Sequence, residues 1–161
     1  MTAASLYRTP IAPEWIDYNG HVRDAYYGLI VSYATDALMD DLGIDATYRE
    51  RTGCTLYTLE SHVHYLSEIK QSDIVSVSVR LLAADEKRMH AAFDLTCEGR
   101  ARPAASAESL LLHVHQGTTV STRAFPSEIA AAIGALRRST AGLGTDVPGS
   151  RCIELRPHRA G

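Results

Sequence analysis

The chain predicts a two-layer α+β domain, one long apolar helix lying against an antiparallel sheet, with a second helix and a tail at the C-terminal end. Three observations predict it. Residues 25–42 form the longest apolar-periodic segment of the sequence. Four runs of period-two alternation follow, joined by short polar connections. The whole is 161 residues long and 45% hydrophobic, and a chain of this size buries about 70% of its unfolded surface, which one core accommodates.

The first element is a short strand over Leu6–Ile11, stopped by Pro10 and Pro13, which cannot donate to a ladder. Asn19-Gly20 signals a turn. Asp24 is the expected N-cap of the long helix. In that helix Leu29, Ile30, Tyr33, Ala34, Ala37 and Leu38 share a wide apolar face, and Ser32, Asp36 and Asp40 lie opposite. Gly43 supplies the left-handed residue that ends it. Residues 44–52 are polar and read as irregular, with room for one helical turn.

Strands are expected over 54–66, 74–82, 89–97 and 104–115. In the first, Tyr57, Leu59, Val63 and Tyr65 point one way and Thr58, Glu60, His62 and His64 the other. Leu110–Val114 is apolar on both faces, the mark of a strand covered on both sides. Short connections make a meander the natural order. Ser127–Arg138 reads as the second helix, with Ser127 as its cap. The domain therefore spans 1–138, and residues 139–161 form a tail that is mobile or packed on a partner subunit.

Composition narrows the function. A net charge of −3 lacks the basic excess of a nucleic-acid binder. No apolar run approaches the ~20 residues that cross a bilayer. Met1–Arg8 lacks the basic and apolar regions of a signal peptide. Cys54, Cys97 and Cys152 are odd in number and contain no CxxC, which fits a reducing, cytoplasmic setting.

The candidate site precedes the long helix. Asp17, Asn19 and His21 place a carboxylate, an amide and an imidazole at alternate positions, facing the positive end of the helix dipole. The competing reading of Asp17 is a turn-former in an Asx motif, and that of His21 a histidine bonded to loop backbone. His62/His64 and His113/His115 each share a strand face, as metal ligands do, but no carboxylate or Cys completes a set at ligand spacing. Core or interface histidines are expected, and no metal. Trp15, Tyr18, Tyr26, Tyr27, Tyr57 and Tyr65 gather near the same segment, where ordinary packing accounts for most of them.

The strand, the D-x-N-x-H-V run at 17–22, the buried helix and the four later strands resemble the hotdog fold, specifically acyl-thioester hydrolases of the 4-hydroxybenzoyl-CoA thioesterase type, over about residues 6–125. The D-x-N-x-H-V run is also similar to the catalytic segment of plant acyl-carrier-protein thioesterases. In that comparison Glu68 falls near a further active-site carboxylate. Its neighbour is Ile69 where that family carries a Cys, so no thiol nucleophile stands there. TLESHVHYLSE (58–68), DEKRMH (85–90) and AESLLLHV (107–114) resemble thioesterases that release glycine betaine from betainyl-CoA in carnitine breakdown.

The resemblance implies thioester hydrolysis without a cofactor. Asp17 would act as general base toward water, or attack the carbonyl to form an anhydride. Asn19 would orient the water or the carboxylate. His21 would share a proton with it or hold the loop. Amides around Arg23, Asp24 and Ala25 would receive the oxyanion. Trp15, Tyr18, Tyr26 and Tyr27 would line the acyl pocket, their ring faces suited to a trimethylammonium group. Lys70, Lys87, Arg88 and Arg123 are candidates for the coenzyme A phosphates, against a reading as solvated surface charge. One helix cannot cover both faces and both edges of a bent sheet, so a homodimer or homotetramer is expected, with sites at subunit boundaries. A hydratase of the same fold would carry a His deeper in the helix, which this helix lacks. A non-catalytic acyl-CoA-binding subunit would keep the aromatics and tolerate loss of Asp17.

Overall fold

Alternating apolar residues build most of one sheet face. Val75, Val77, Val79 and Leu81 on one strand stand with Met89, Ala91, Phe93, Leu95 and Cys97 on the next, all buried. The computed structural model describes residues 5–144 and residue 147. In order these form β1 (Ser5–Pro10), a 3-10 turn (Pro13–Trp15), α1 (Asp24–Asp41), α2 (Ala46–Thr52), β2 (Cys54–Tyr65), β3 (Ile74–Ala84), β4 (Arg88–Cys97), β5 (Ala105–Gln116), β6 (Val120–Thr122), α3 (Ser127–Thr140) and a closing 3-10 turn (Ala141–Leu143).

All strands pair antiparallel in one sheet, in the order β1-β3-β4-β5-β2, with β6 added to the end of β5. Helix α1 touches both β1 and β2, strands from opposite edges, so the sheet curls around it as the hotdog resemblance implies. The expected meander holds for β3-β4-β5 only. Strand β2 pairs with β5, on the far side of the sheet from β3. The connection 66–73 must therefore cross the end of the sheet.

Helix α1 buries Tyr27, Ile30, Val31, Ala34, Thr35, Leu38 and Met39. This face is rotated from the expected one. Ile30, Ala34 and Leu38 belong to both, but Leu29 and Ala37 sit at the boundary and Tyr33 is 41% exposed, against Tyr7. Thr35 enters the buried side because its hydroxyl donates back to the Val31 carbonyl (2.9 Å). Gly43 ends the helix with φ +82, its amide donating to Asp40 and that of Ile44 to Met39. Asp24 is not the cap: Arg23 holds the capping backbone, and Asp24 is the first helical residue, its carboxylate accepting from the Ala25 amide (2.9 Å). Pro126 rather than Ser127 likewise precedes α3. The polar stretch 44–52 is more ordered than expected, because Asp45 caps α2 through the Tyr48 amide (2.7 Å) and Gly53 closes it at φ +66.

The long strand β2 does not keep one face. Its register shifts between Thr58 and Glu60. Tyr57, opposite Leu112, shares the outer face with Glu60, His62 and His64, while Val63 and Tyr65 face the helix. Helix α3 packs on β3, and beyond Ser78, where β1 has ended, the Leu81 amide donates to the Thr140 hydroxyl (3.3 Å). Buried Arg80 pairs with Asp94 (3.1 Å) and donates to the Gly144 carbonyl (2.9 Å). The start of the expected tail is thus tied to the outer face; most of residues 139–161 lies outside the described residues. Leu38→Ala will destabilise the fold by about 2–5 kcal/mol, and Tyr33→Ala by under about 1 kcal/mol, measured by urea unfolding. Equal costs would contradict the rotated face.

Candidate active site

The segment before α1 closes into a hairpin tip. Ile16 bridges Val22, the Asp17 amide donates to the His21 carbonyl (2.9 Å), and the Gly20 amide to the Asp17 carbonyl (3.1 Å). Gly20 takes φ +82, which permits the turn. Asp17 sits at its base. Its Oδ1 accepts from the Asn19 amide (2.8 Å) and the His21 amide (3.3 Å), and its Oδ2 from Asn19 Nδ2 (3.4 Å). Desolvation pulls the Asp17 pKa upward, but the donors from His21 and Asn19 outweigh it, so the net value lies below the ordinary aspartate value. Asp17 therefore forms the Asx-type turn that its competing reading requires. It is also an ionised carboxylate at neutral pH.

The crossing connection docks on this tip. The Val22 amide donates to the Ile69 carbonyl (2.8 Å), the Ile69 amide to the Tyr27 hydroxyl (3.2 Å), and His21 bridges Lys70. Ile69 is fully buried. Glu68, one residue before it, reaches the His21 ring (Oε2 to Nε2, 3.4 Å). The imidazole thus turns toward Glu68, and it is the His21 backbone that touches Asp17. Asp17, Asn19, His21 and Glu68 are brought together at one end of the sheet.

Of the amides expected to receive an oxyanion, Arg23 donates to Trp15 (2.9 Å) and Ala25 to Asp24. Asp24's is the one of the three without an acceptor among the described residues. The aromatics divide. Trp15 stacks on Tyr26 (centroids 5.5 Å, planes 17° apart), both half-buried at the loop. Tyr18 at the tip is 95% exposed. Tyr27 belongs to the core: it is 4% exposed, meets Tyr65 edge-on at 5.0 Å, and its hydroxyl is spent on Ile69. Burial raises its pKa.

Strand register separates the expected phosphate-binding cations. Lys70 is on the site's connection. Lys87, Arg88 and Arg123 lie at the opposite end of the sheet, where Arg88 faces Leu112 and Arg123 donates its amide to His113. Arg88 there pairs with Asp85, holding the Asp85 carboxyl down to about 2. At the site's own end the β4–β5 turn brings Arg100 and Arg102, which line a cavity of about 700 Å³ with Leu66, Ser67, Asp94 and Ser106. Neither arginine stood out in the sequence, since a turn arginine resembles any solvated charge.

One histidine of each pair has structural partners. His113 is buried; its Nδ1 donates to the Arg123 carbonyl (3.0 Å), so Nε2 accepts from the Tyr48 hydroxyl (2.9 Å). His62 lies between Glu60 (2.9 Å) and Glu108 (3.5 Å) on the outer face, with His90 on Glu108 (2.9 Å). Among the described residues no group of three or more His, Cys, Asp or Glu is arranged to hold a metal.

Comparison with known families decides what the chain belongs to. The family described as the thioesterase-like superfamily matches residues 11–133. The chain belongs to that superfamily. A betainyl-CoA thioesterase of Pseudomonas aeruginosa is 42% identical to this thioesterase over 155 residues, 96% of this chain and 97% of that one. The L-carnitine dehydrogenase/betainyl-CoA thioesterase of Agrobacterium fabrum is 33% identical across 94% of this chain, which spans 31% of that longer protein. A Staphylococcus aureus protein solved in complex with CoA superposes with a TM-score of 0.87 at 27% identity, over 97% of this chain and 98% of that one. The hotdog fold and the thioester chemistry implied by the resemblance both stand.

The lowered Asp17 pKa fixes a sign. The stability its ionised form contributes is fully present above the ordinary carboxylate pKa and is lost as pH falls through the lowered value. Carboxyl NMR titration will place Asp17 below the ~3.9 of a free aspartate; a higher value would contradict this loop geometry.

Proposed function

We propose that this thioesterase hydrolyses betainyl-CoA to glycine betaine and CoA, with Asp17 as the reacting carboxylate. The observation that carries the reading is an ionised carboxylate, pinned by its own hairpin, at the start of a buried helix whose Asp24 amide has no acceptor among the described residues. In one route Asp17 takes a proton from water as the water oxygen bonds to the thioester carbon. In the other Asp17 bonds to that carbon, and water then opens the anhydride. Both need the ionised form, and in both the carbonyl oxygen becomes an anion facing the open amide before the CoA thiolate leaves. Asn19 holds the carboxylate, and His21 with Glu68 holds the loop.

The acyl group is proposed from the relatives named for betainyl-CoA and from the rings at the loop. The Trp15–Tyr26 stack and the exposed Tyr18 offer π-faces to a trimethylammonium, each worth about 0.5–2 kcal/mol. Lys70 and Arg102 are at the right end of the sheet for the CoA phosphates.

A homodimer is proposed along β2. That strand pairs with β5 on one side only among the described residues, leaving an edge whose exposed side chains include Tyr57, Leu59 and Tyr65, with Leu66 beyond it. The buried free thiols Cys54 and Cys97 fit a reducing cytoplasm, and among the described residues no helix is long and apolar enough to cross a membrane.

The test is thiol release across a panel of acyl-CoAs that includes betainyl-CoA. Betainyl-CoA should give the highest kcat/KM, and Asp17→Asn should lower kcat by ~10² to 10⁴. Release unchanged by Asp17→Asn removes Asp17 from the chemistry. No release from any acyl-CoA supports a binding subunit instead. Light scattering should return at least twice the chain mass at micromolar concentration, and a monomer would overturn the dimer.

A further inference from the structure

Arg100 lies on the turn between β4 and β5, outside the D-x-N-x-H-V run. Its Nη1 donates to the Glu68 carbonyl (2.7 Å) and its Nη2 to the Asp73 carboxylate (2.6 Å). The same Asp73 oxygen accepts from the Lys70 amide (2.8 Å), and the Asp73 amide donates to the Lys70 carbonyl (3.0 Å). One guanidinium therefore grips both ends of the 68–73 turn. The pair is only partly exposed, 34% for the Arg100 side chain and 17% for that of Asp73.

The other side of the same turn carries the acid loop. Ile69 takes the Val22 amide, Lys70 bridges His21, and Glu68 meets the His21 ring. Residues Glu68–Lys70 are thus a plate with Arg100 behind it and the Asp17 hairpin in front. The strands do not need this grip, since β4 and β5 pair through their own backbones from Arg88 opposite Leu112 to Leu95 opposite Ala105.

We propose that Arg100 is a positioning residue for the hydrolysis: by fixing Glu68 and Asp73 from behind, it sets the place of His21 and hence the hydrogen bonds that orient Asp17. The proposal rests on Asp17 being the reacting carboxylate. Arginine is required because a planar fork meets a carbonyl and a carboxylate together, whereas a lysine ammonium meets one of them well. The bond most sensitive to the plate is His21 amide to Asp17 Oδ1, already the longer of the two amide bonds at 3.3 Å. That bond helps hold the Asp17 pKa down. Loosening it therefore moves the acid limb of the rate profile to higher pH.

The experiment compares Arg100→Ala, Arg100→Lys, Asp73→Asn and Asp17→Asn in the full chain, using whichever panel acyl-CoA the wild type turns over best. Circular dichroism and thermal melts check folding. Arg100→Ala should lower kcat about 10- to 100-fold, the cost of a misplaced reacting group, with KM changed less than about threefold. Its kcat/KM profile should shift its acid limb upward, and Arg100→Lys should recover part of both. A merely structural role would lower the melting temperature without moving the acid limb. If Asp17→Asn is inactive while Arg100→Ala keeps wild-type kcat and acid limb, the positioning role is overturned and the catalytic reading survives. A raised KM at unchanged kcat would overturn it too, marking Arg100 as a CoA contact. If Asp17→Asn leaves release unchanged, the catalytic reading falls and this inference with it. Should Arg100→Ala not fold, Asp73→Asn decides: it keeps an acceptor for the Lys70 amide but weakens the guanidinium pair, and an unmoved acid limb there overturns the proposal.

Discussion

The acid end of this thioesterase depends on how Ile69 spends its two backbone groups. Its carbonyl takes the amide of Val22, and its amide goes to the hydroxyl of Tyr27, with the side chain fully buried between them. A buried peptide group left unpaired costs about as much as a lost hydrogen bond. The hairpin and the crossing connection therefore complete one another. The connection sets the place of the Asp17 loop against the first turn of α1.

That arrival follows from topology. Because β2 pairs with β5 and not with β3, the chain must span the end of the sheet to begin β3. The span passes the start of α1, where the helix needs a cover and the hairpin needs a floor. Tyr65, at the end of β2, packs edge-on against Tyr27 and donates to the Asp24 carbonyl (3.4 Å) as the span begins. A fold requirement thus delivers Glu68 to His21 and, through the amide of His21, steadies the carboxylate of Asp17. Family membership assigns thioester chemistry to the chain, and the hairpin before α1 holds an ionised carboxylate.

Much of this is legible in the sequence itself. Period-two runs marked β2 to β5, the apolar segment marked α1, and the spacing of Asp17, Asn19 and His21 marked the loop. What escaped is what periodicity does not encode. Strand order is a non-local property, so the far position of β2 was invisible. The bulge near Leu59 flips a face by one residue, which no alternation pattern announces. Strand β6 is three residues long, too short for a period. The buried face of α1 turned toward Val31 and Thr35 because a β-branched polar residue can satisfy its hydroxyl on its own helix. Arg100 escaped because its role comes from a turn that only the folded chain brings beneath Glu68.

Amide hydrogen exchange at Val22 tests the central claim most directly, since that proton is the one shared by the hairpin and the connection. If the dock holds the acid loop in place, Val22 will exchange as slowly as the amides of β4 and β5. If instead it exchanges as fast as Tyr18 at the exposed tip, the hairpin is free of the connection, and the account of how Asp17 is held is wrong.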